Sequence, residues 1–321
     1  MSARGAWFAA LLGALGAAAS AAAPSTNGPA PGDCRALQLH GQEAPAQQCF
    51  RALTQQSSAY LRAEGDWGLR RYDDANREFR SAVAQAPGNA DYRVRWGRLL
   101  HERFNDEDAR DLFQEALMRD PRNAQAYLGL ALTSAEGFDN RAIEWAQKAL
   151  ALAPTSVEAH ELLANLALED SDYAQAGSEA DAALALASDA LDALSIHAAI
   201  ELLSDRAAEP WLAKIRAINP HYGEGYALIA HHLVLHVRYE DGIAYYRRAI
   251  AADPQLWSAR SELAINLMRL GQDSEPHELL EACYQNGFRN FATVNSLRLL
   301  DSYKNFVTFK DATTILKLHK Q

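Results

Sequence analysis

Two His-Glu pairs, His160-Glu161 and His277-Glu278, are the residues of this chain whose order best fits metal-dependent hydrolysis. In the motif H-E-x-x-H, two histidines one helical turn apart bind zinc and the glutamate activates a water molecule. The position of the second histidine holds Ala164 after the first pair and Glu281 after the second. Neither pair completes the motif, so we interpret both as helix-face residues.

The remaining histidines and the glycines indicate no further chemistry. His232 and His236 share a helix face at i, i+4, but Glu240 is the one candidate for a third metal ligand in register. The sequence contains no G-x-S-x-G, no phosphate-binding glycine loop and no dinucleotide-binding fingerprint. We therefore predict no catalytic residues, no metal and no cofactor, which favours a non-enzymatic protein.

The charge and the composition exclude some classes of partner. The formal net charge is −10, and the lysines and arginines form no basic stripe. Nucleic-acid binding requires clustered cations, so we expect no nucleic-acid partner. Hydrophobic residues make up 49% of the chain, which excludes disorder over its whole length.

The N-terminal residues 1–23 are typical of a secretory signal peptide. Arg4 precedes an apolar run over residues 6–19, and the small residues at 19–23 offer cleavage sites of the A-x-A type. The run is shorter than the roughly 20 residues that span a bilayer, which favours a removed signal over a membrane-retained N-terminus. We therefore expect a periplasmic or secreted protein with no transmembrane span after signal removal.

Two of the three cysteines, Cys34 and Cys49, lie close behind the predicted signal. The Pro- and Gly-rich composition around Pro24 to Gly32 predicts a flexible linker over residues 24–46. In an oxidising compartment such a cysteine pair often forms a disulfide, although the sequence leaves open whether these two pair. We expect the third, Cys283, to be a buried free thiol.

The prolines recur with a regular period further along the chain. Each ends a pattern in which a small residue, a large residue and a second small residue follow at fixed offsets, as in Ala109, Phe113 and Ala116. The spacing is 33 or 34 residues, or twice 33 where one proline is missing, at Pro87, Pro121, Pro154, Pro220 and Pro254. A period of this length predicts helix-turn-helix units stacked into a solenoid.

This pattern resembles the tetratricopeptide repeat (TPR) family. The resemblance implies an all-α fold, a solenoid of about seven helix-turn-helix repeats over residues 47–288. The pattern has a steric reason: small residues let two helix backbones cross closely, and large residues between them fill the space on the neighbouring helix. A proline after the second helix ends it, because its ring cannot continue the hydrogen-bond ladder.

The resemblance also implies a binding surface. In TPR proteins the first helices of the repeats line a concave groove that holds an extended or helical peptide, so we expect a protein or peptide partner there. A Lys, Arg and Asn clamp for a C-terminal carboxylate is not evident. The positions expected to face the groove are Asp91, Arg98, His101, Gln125, Glu158, Glu161, Asn165, Glu224 and His231.

Residues 289–321 depart from the repeat pattern. We predict one more helix followed by a short β-hairpin, with strands at 305–309 and 313–318. This tail is similar to the junction at which exported TPR proteins lead into a gluzincin-type (peptidase MA-like) metalloprotease domain. That resemblance implies an H-E-x-x-H beyond Gln321 and a tail that docks a further domain.

The sequence thus supports two functions. One is an exported TPR scaffold that binds a protein in the periplasm or cell envelope. The alternative is the N-terminal repeat region of an exported TPR-linked zinc metallopeptidase.

Overall fold

Short helices joined by tight turns make up most of this computed structural model, which describes residues 28–137 and 139–320. The predicted signal peptide lies outside the described residues. Within them, seventeen α-helices of nine to fourteen residues run from Pro31 to Ser302. A one-turn 3₁₀ helix and two β-strands follow.

The helices form antiparallel pairs, each pair packing on the next. Their bounds are α1 Pro31–Leu39, α2 Glu43–Thr54, α3 Ala59–Gly68, α4 Tyr72–Gln85, α5 Ala90–Glu102, α6 Asp106–Arg119, α7 Ala124–Glu136, α8 Arg141–Leu152, α9 Val157–Glu169, α10 Tyr173–Leu186, α11 Leu191–Leu203, α12 Glu209–Ile218, α13 Gly223–Leu235, α14 Tyr239–Ala252, α15 Trp257–Arg269, α16 Ser274–Gln285 and α17 Phe291–Ser302.

The pairs from α3–α4 to α15–α16 are seven helical hairpins, which confirms the predicted solenoid. We call them repeats 1 to 7. The pair α1–α2 packs against repeat 1 as an additional hairpin, and α17 packs against α16 and covers the other end of the solenoid.

The structure differs from the predicted linker over 24–46. Residues from Pro31 onward are helical, and α1 and α2 pack together around Cys34, Phe50 and Leu53, all three of which are buried. Pro31 opens α1 in the first turn, where its missing N–H is not needed. The Pro- and Gly-rich composition predicted a linker that was too long. The apolar side chains that hold α1 in place belong to another helix, so the local composition does not reveal them.

The structure joins Cys34 and Cys49 by a disulfide, with their Cα atoms 5.3 Å apart. This bond connects α1 to α2 and so fastens the N-terminal hairpin. Cys283 is a buried free cysteine on α16. Burial raises the pKa of its thiol to about 11, which suits an unreactive core residue.

Large residues of the second helices fit against small residues of two first helices. Phe113 on α6 is fully buried between Gly97 of α5 and Gly129 of α7. A Cβ atom at Gly97 would lie 2.7 Å from the Phe113 ring, and one at Gly129 would lie 2.3 Å from it. The small residues that recur with the repeat period therefore mark the closest helix–helix contacts of the solenoid.

The turns inside the repeats share a left-handed backbone. In five repeats the second residue after the first helix has a φ angle between 54° and 63° although it is not glycine, at Arg70, Phe104, Ser171, Asp205 and Val237. In repeat 7 the same place is taken by Gly271, with φ 76°. Within this set, Arg70 and Phe104 lie one repeat apart, as do Ser171, Asp205, Val237 and Gly271 in succession.

The predicted C-terminal hairpin is confirmed. β1 (Phe306–Lys310) pairs antiparallel with β2 (Ile315–His319). Lys317 on one face forms an ion pair of 2.5 Å with Asp273, which holds the hairpin against repeat 7. The opposite face carries two cross-strand apolar pairs that are about half exposed, Val307 with Leu318 and Phe309 with Leu316.

The glycine contacts predict opposite effects for two alanine substitutions. Gly129→Ala should destabilise the chain by about 1–3 kcal/mol, because the buried Phe113 ring has no free space to move into. Gly177→Ala should stabilise it by roughly 0.5–1 kcal/mol, because Gly177 lies inside α10 and its nearest neighbour, Ile200, is 3.9 Å from the added atom. Urea unfolding of both variants tests this, and an equal effect of the two would contradict it.

Candidate functional site

The solenoid curves so tightly that first helices two repeats apart contact each other across its concave face. Arg98 on α5 forms an ion pair with Glu158 on α9, and His232 on α13 bonds Asn165 on α9. Each of these four side chains lies within two residues of an alanine or glycine of its own first helix. The concave groove is therefore occupied by paired side chains of the chain itself.

Arginines occupy the N-terminal part of the groove. Glu64 is fully buried on α3 and accepts hydrogen bonds from Arg35 and Arg95, the latter at 2.7 and 3.3 Å. The Arg95 guanidinium also lies over the Trp67 ring, 4.5 Å from its centroid. Burial lowers the pKa of Arg35 to about 9 and that of Arg98 to about 10, so both remain cations at neutral pH, and burial also lowers the pKa of Arg95.

Neutral polar groups occupy the middle of the groove. His232 is fully buried and donates from Nε2 to Asn165 Oδ1 at 2.9 Å. Burial lowers the pKa of His232 to about 3, so its ring is neutral at physiological pH. His231 lies 4.0 Å from Glu169, and burial also lowers its pKa.

Carboxylates occupy the C-terminal part of the groove. Glu161 Oε1 accepts from the Ala193 backbone N–H at 3.2 Å, next to Asp192, which accepts from the Tyr222 hydroxyl at 2.5 Å. Burial and the nearby Asp192 raise the pKa of Glu161 to about 8, and burial raises those of Asp192 and Glu224. Glu161 and Asp192 therefore share a region where a full pair of negative charges is unfavourable.

Two cavities adjoin this groove. One, of about 760 Å³, has aromatic walls that include Trp67, Tyr72 and Trp257. The other has a volume of about 910 Å³, and its lining residues include Arg70 and Gly41. Glu224 lines both cavities, together with Arg35 and Arg70.

The structure brings together six of the nine residues expected in the groove. Arg98 and Glu158 pair directly, Asn165 and His231 lie in the middle, and Glu161 and Glu224 lie towards the C-terminal part.

The other three predicted residues make local contacts or lie at the rim. Asp91 accepts a hydrogen bond of 2.9 Å from Asn123, the N-cap of the next first helix. His101 Nδ1 lies 2.6 Å from Asp106 of its own repeat. Gln125 is exposed on α7.

Several groove residues were missed by the sequence analysis. Asp192 occupies the second position of its first helix, as Asp91, Gln125, Glu158 and Glu224 do in theirs, so the repeat register could have found it. Glu64 follows Ala63 as Arg98 follows Gly97, which is a second usable signal. Arg35 had no such signal, because it lies on a helix outside the repeats.

The described residues show no other recognised type of site. Across 28–137 and 139–320, no group of three or more His, Cys, Asp or Glu side chains is arranged to hold a metal ion. The helices of this part of the chain include none that is long and apolar enough to cross a membrane.

Comparisons with known proteins agree with this architecture. A family model described as tetratricopeptide repeat matches residues 61–133, which include α5 and α6. No curated protein sequence matches the chain.

Solved structures share the fold at low sequence identity. The Cut9–Hcn1 hetero-tetramer of the APC/C superposes with a TM-score of 0.55 at 12% identity, covering 84% of this chain and 54% of that one. Yeast Tom70 gives 0.50 at 16% identity, covering 77% and 56%. A thermophilic TPR protein from Thermus thermophilus gives 0.46 at 21% identity, covering 56% and 99%.

This chain spans little more than half the length of the first two proteins. The fold and the matched segment define a TPR-type helical repeat scaffold, a class that generally mediates protein–protein interaction.

The carboxylate cluster predicts a loss of stability at higher pH. Because the pKa of Glu161 is raised from 4.5 to about 8, the native state binds this proton more tightly than the unfolded chain does. The resulting stabilisation is complete below about pH 4.5 and disappears as the pH rises to about 8. Glu161→Gln can still accept from Ala193 but cannot ionise, so its free energy of unfolding should fall less between pH 5 and pH 8.5.

Urea titrations of wild type and Glu161→Gln at several pH values measure this difference. Asp192→Asn should flatten the same profile, because it removes the neighbouring charge. Parallel profiles for wild type and both variants would contradict the raised pKa.

Proposed function

We propose that this chain is an exported TPR scaffold that holds a protein partner in the periplasm or cell envelope. The repeat fold supports the scaffold, since solenoids of this type present extended surfaces for binding. The predicted signal peptide over residues 1–23 and the Cys34–Cys49 disulfide support export, because disulfides persist in oxidising compartments. The mass of the protein recovered from an envelope fraction tests this: an uncleaved N-terminus in the cytoplasm would contradict export.

One observation indicates what the partner offers to the groove. Glu161, Asp192 and Glu224 lie together in the C-terminal part of the concave face, and Glu224 lines both cavities. A lysine or arginine of an extended peptide would neutralise the adjoining carboxylates of Glu161 and Asp192. Electrostatic complementarity of this kind sets specificity and association rate. The proposed partner is therefore a protein with a basic, extended segment.

Charge reversal in the groove should weaken the binding of such a segment. We expect Glu224→Lys to raise the Kd for basic peptides by at least about tenfold, which is about 1.4 kcal/mol. Glu107→Lys makes the same charge change at an exposed position on the outer helix α6 and is the matched control. Fluorescence anisotropy with matched sets of basic, neutral and acidic peptides measures both variants. Equal binding of the three peptide sets, or equal effects of the two variants, would contradict the proposal.

The C-terminal hairpin favours a second candidate function. Its outward face presents Val307, Phe309, Leu316 and Leu318 to solvent, and a two-stranded sheet has little stability without cover. A further domain docked on this face would agree with the resemblance to TPR-linked zinc metallopeptidases. In that case the repeats would present substrate to a protease or attach it to a complex.

Substitution of one cross-strand pair distinguishes the two candidates. Phe309→Ser combined with Leu316→Ser removes half of the apolar face and leaves the Lys317–Asp273 contact in place. If the scaffold function is correct, this variant should bind basic peptides, and retain envelope partners, as the wild type does. Loss of the envelope partners with unchanged peptide binding would favour the hairpin as the docking site.

A further inference from the structure

We propose that the concave groove is held closed by a clasp, a row of contacts that joins the turns of the N-terminal hairpins to the loops of repeats 5 to 7, and that a partner enters when the clasp opens. This inference concerns the regulation of the proposed groove and therefore rests on the proposed function. The clasp consists of four interactions: Gln38 with Asn219, Arg70 with Asp253 and Gln255, Arg103 with Gly287, and Phe104 with Phe288.

The contacts of the clasp follow one another at an almost constant distance in sequence. The hydrogen-bonded pairs are separated by 181, 183, 184 and 185 residues. In each, a residue at or just beyond the end of the first helix of a hairpin meets a loop that lies slightly more than five repeats further along the chain. One turn of the superhelix thus rests on the next along a continuous seam.

Each contact of the clasp joins only a few atoms at short distance. Arg70 Nη1 donates to Gln255 Oε1 at 3.1 Å, and its Nη2 lies 3.4 Å from Asp253 Oδ2. The rings of Phe104 and Phe288 meet edge to face, with centroids 5.1 Å apart. Arg103 Nη2 donates to the Gly287 carbonyl at 3.3 Å. Arg70 and Phe104 are themselves left-handed turn residues, and Arg103 directly precedes Phe104.

The seam differs from the interfaces between neighbouring repeats. Those interfaces are rows of fully buried alanines and large apolar residues, such as Ala109, Phe113 and Ala116. The clasp is formed by few side chains, of which Arg70 and Phe104 are each more than 40% accessible while Asn219 and Phe288 are buried. Exposed ion pairs contribute little to stability and are screened by salt, so the seam is the interface of the solenoid that opens most readily.

Closure of the seam determines access to the groove. Arg35 and Glu224, from opposite ends of the chain, line the same cavities beside the clasp residues Gln38, Arg70 and Gln255. With the clasp formed, the interior consists of these partly open cavities and of side chains that pair across the groove. Because each repeat contacts mainly its neighbours, small rotations at several interfaces can separate the two edges without unfolding any repeat.

Spin labels on either side of the seam test the clasp without any partner. Asp73→Cys on α4 and Ala251→Cys on α14 place labels at exposed positions near its two edges. Phe104→Gly removes the ring contact, and glycine adopts the left-handed conformation of this turn without strain. Val237→Gly changes the equivalent residue of repeat 6, which is 68% exposed and outside the clasp.

Phe104→Gly combined with Arg70→Ala should shift the label-to-label distances to longer values, and Val237→Gly should leave them as in the wild type. Raised salt should broaden the wild-type distribution in the same direction. Identical distributions in all variants at every salt concentration would overturn the clasp. A shift caused equally by Val237→Gly would also overturn it, since the effect would then be general loosening.

Peptide binding provides the second readout. A bismaleimide cross-link between Phe104→Cys and Phe288→Cys should reduce binding of the basic peptides at least tenfold, and the uncross-linked double variant should bind at least as well as the wild type. Undiminished binding by the cross-linked protein would overturn the proposed gating. The label distances do not depend on any ligand, so a failure of the clasp is distinguishable from a failure of the basic-peptide function.

Discussion

Close crossing of small residues is the constraint on which the rest of this structure depends. Alanine or glycine at one first-helix position and at two second-helix positions lets the helices approach until large residues such as Phe113 touch two neighbours at once. Dense packing of this kind leaves little freedom in the angle between repeats. The same small rotation is therefore repeated seven times, and the tight superhelix follows from its accumulation.

The tight curvature determines the chemistry of the concave face. First helices that would be separated by a wide groove in a shallower solenoid approach across it, so Arg98 reaches Glu158 and His232 reaches Asn165. Charges on first helices two repeats apart become partners in this way. An incoming peptide must compete with these pairs, which makes an acidic region without cationic partners, such as that around Glu161 and Asp192, the favourable place for it.

The charge of the chain is divided between its two candidate binding surfaces. The chain has a net charge of −10, yet four of its six lysines lie from Lys304 onward, in the region of the C-terminal hairpin. The C-terminal part of the groove carries buried carboxylates, whereas the hairpin carries an exposed apolar face on a basic segment. The two surfaces therefore suit partners of opposite chemistry, and a scaffold that uses both would bring two such partners together.

The repeat period, the seven hairpins, the extra helix and the terminal β-hairpin were all determined by the sequence, because each depends on residues close together in the chain or at a fixed offset. The groove residues were predicted in part for the same reason, and Asp192 and Glu64 follow from the same register. What only the tertiary structure decided were contacts between distant segments: the helix α1 held by Phe50 and Leu53, the pairing across the groove, and the seam between residues about 184 positions apart. Such contacts depend on the summed angles between repeats. The angle between neighbouring repeats is set by side-chain packing at each interface and leaves no periodic trace in the sequence. A small change in that angle, repeated at every interface, moves the ends of the solenoid by many ångströms.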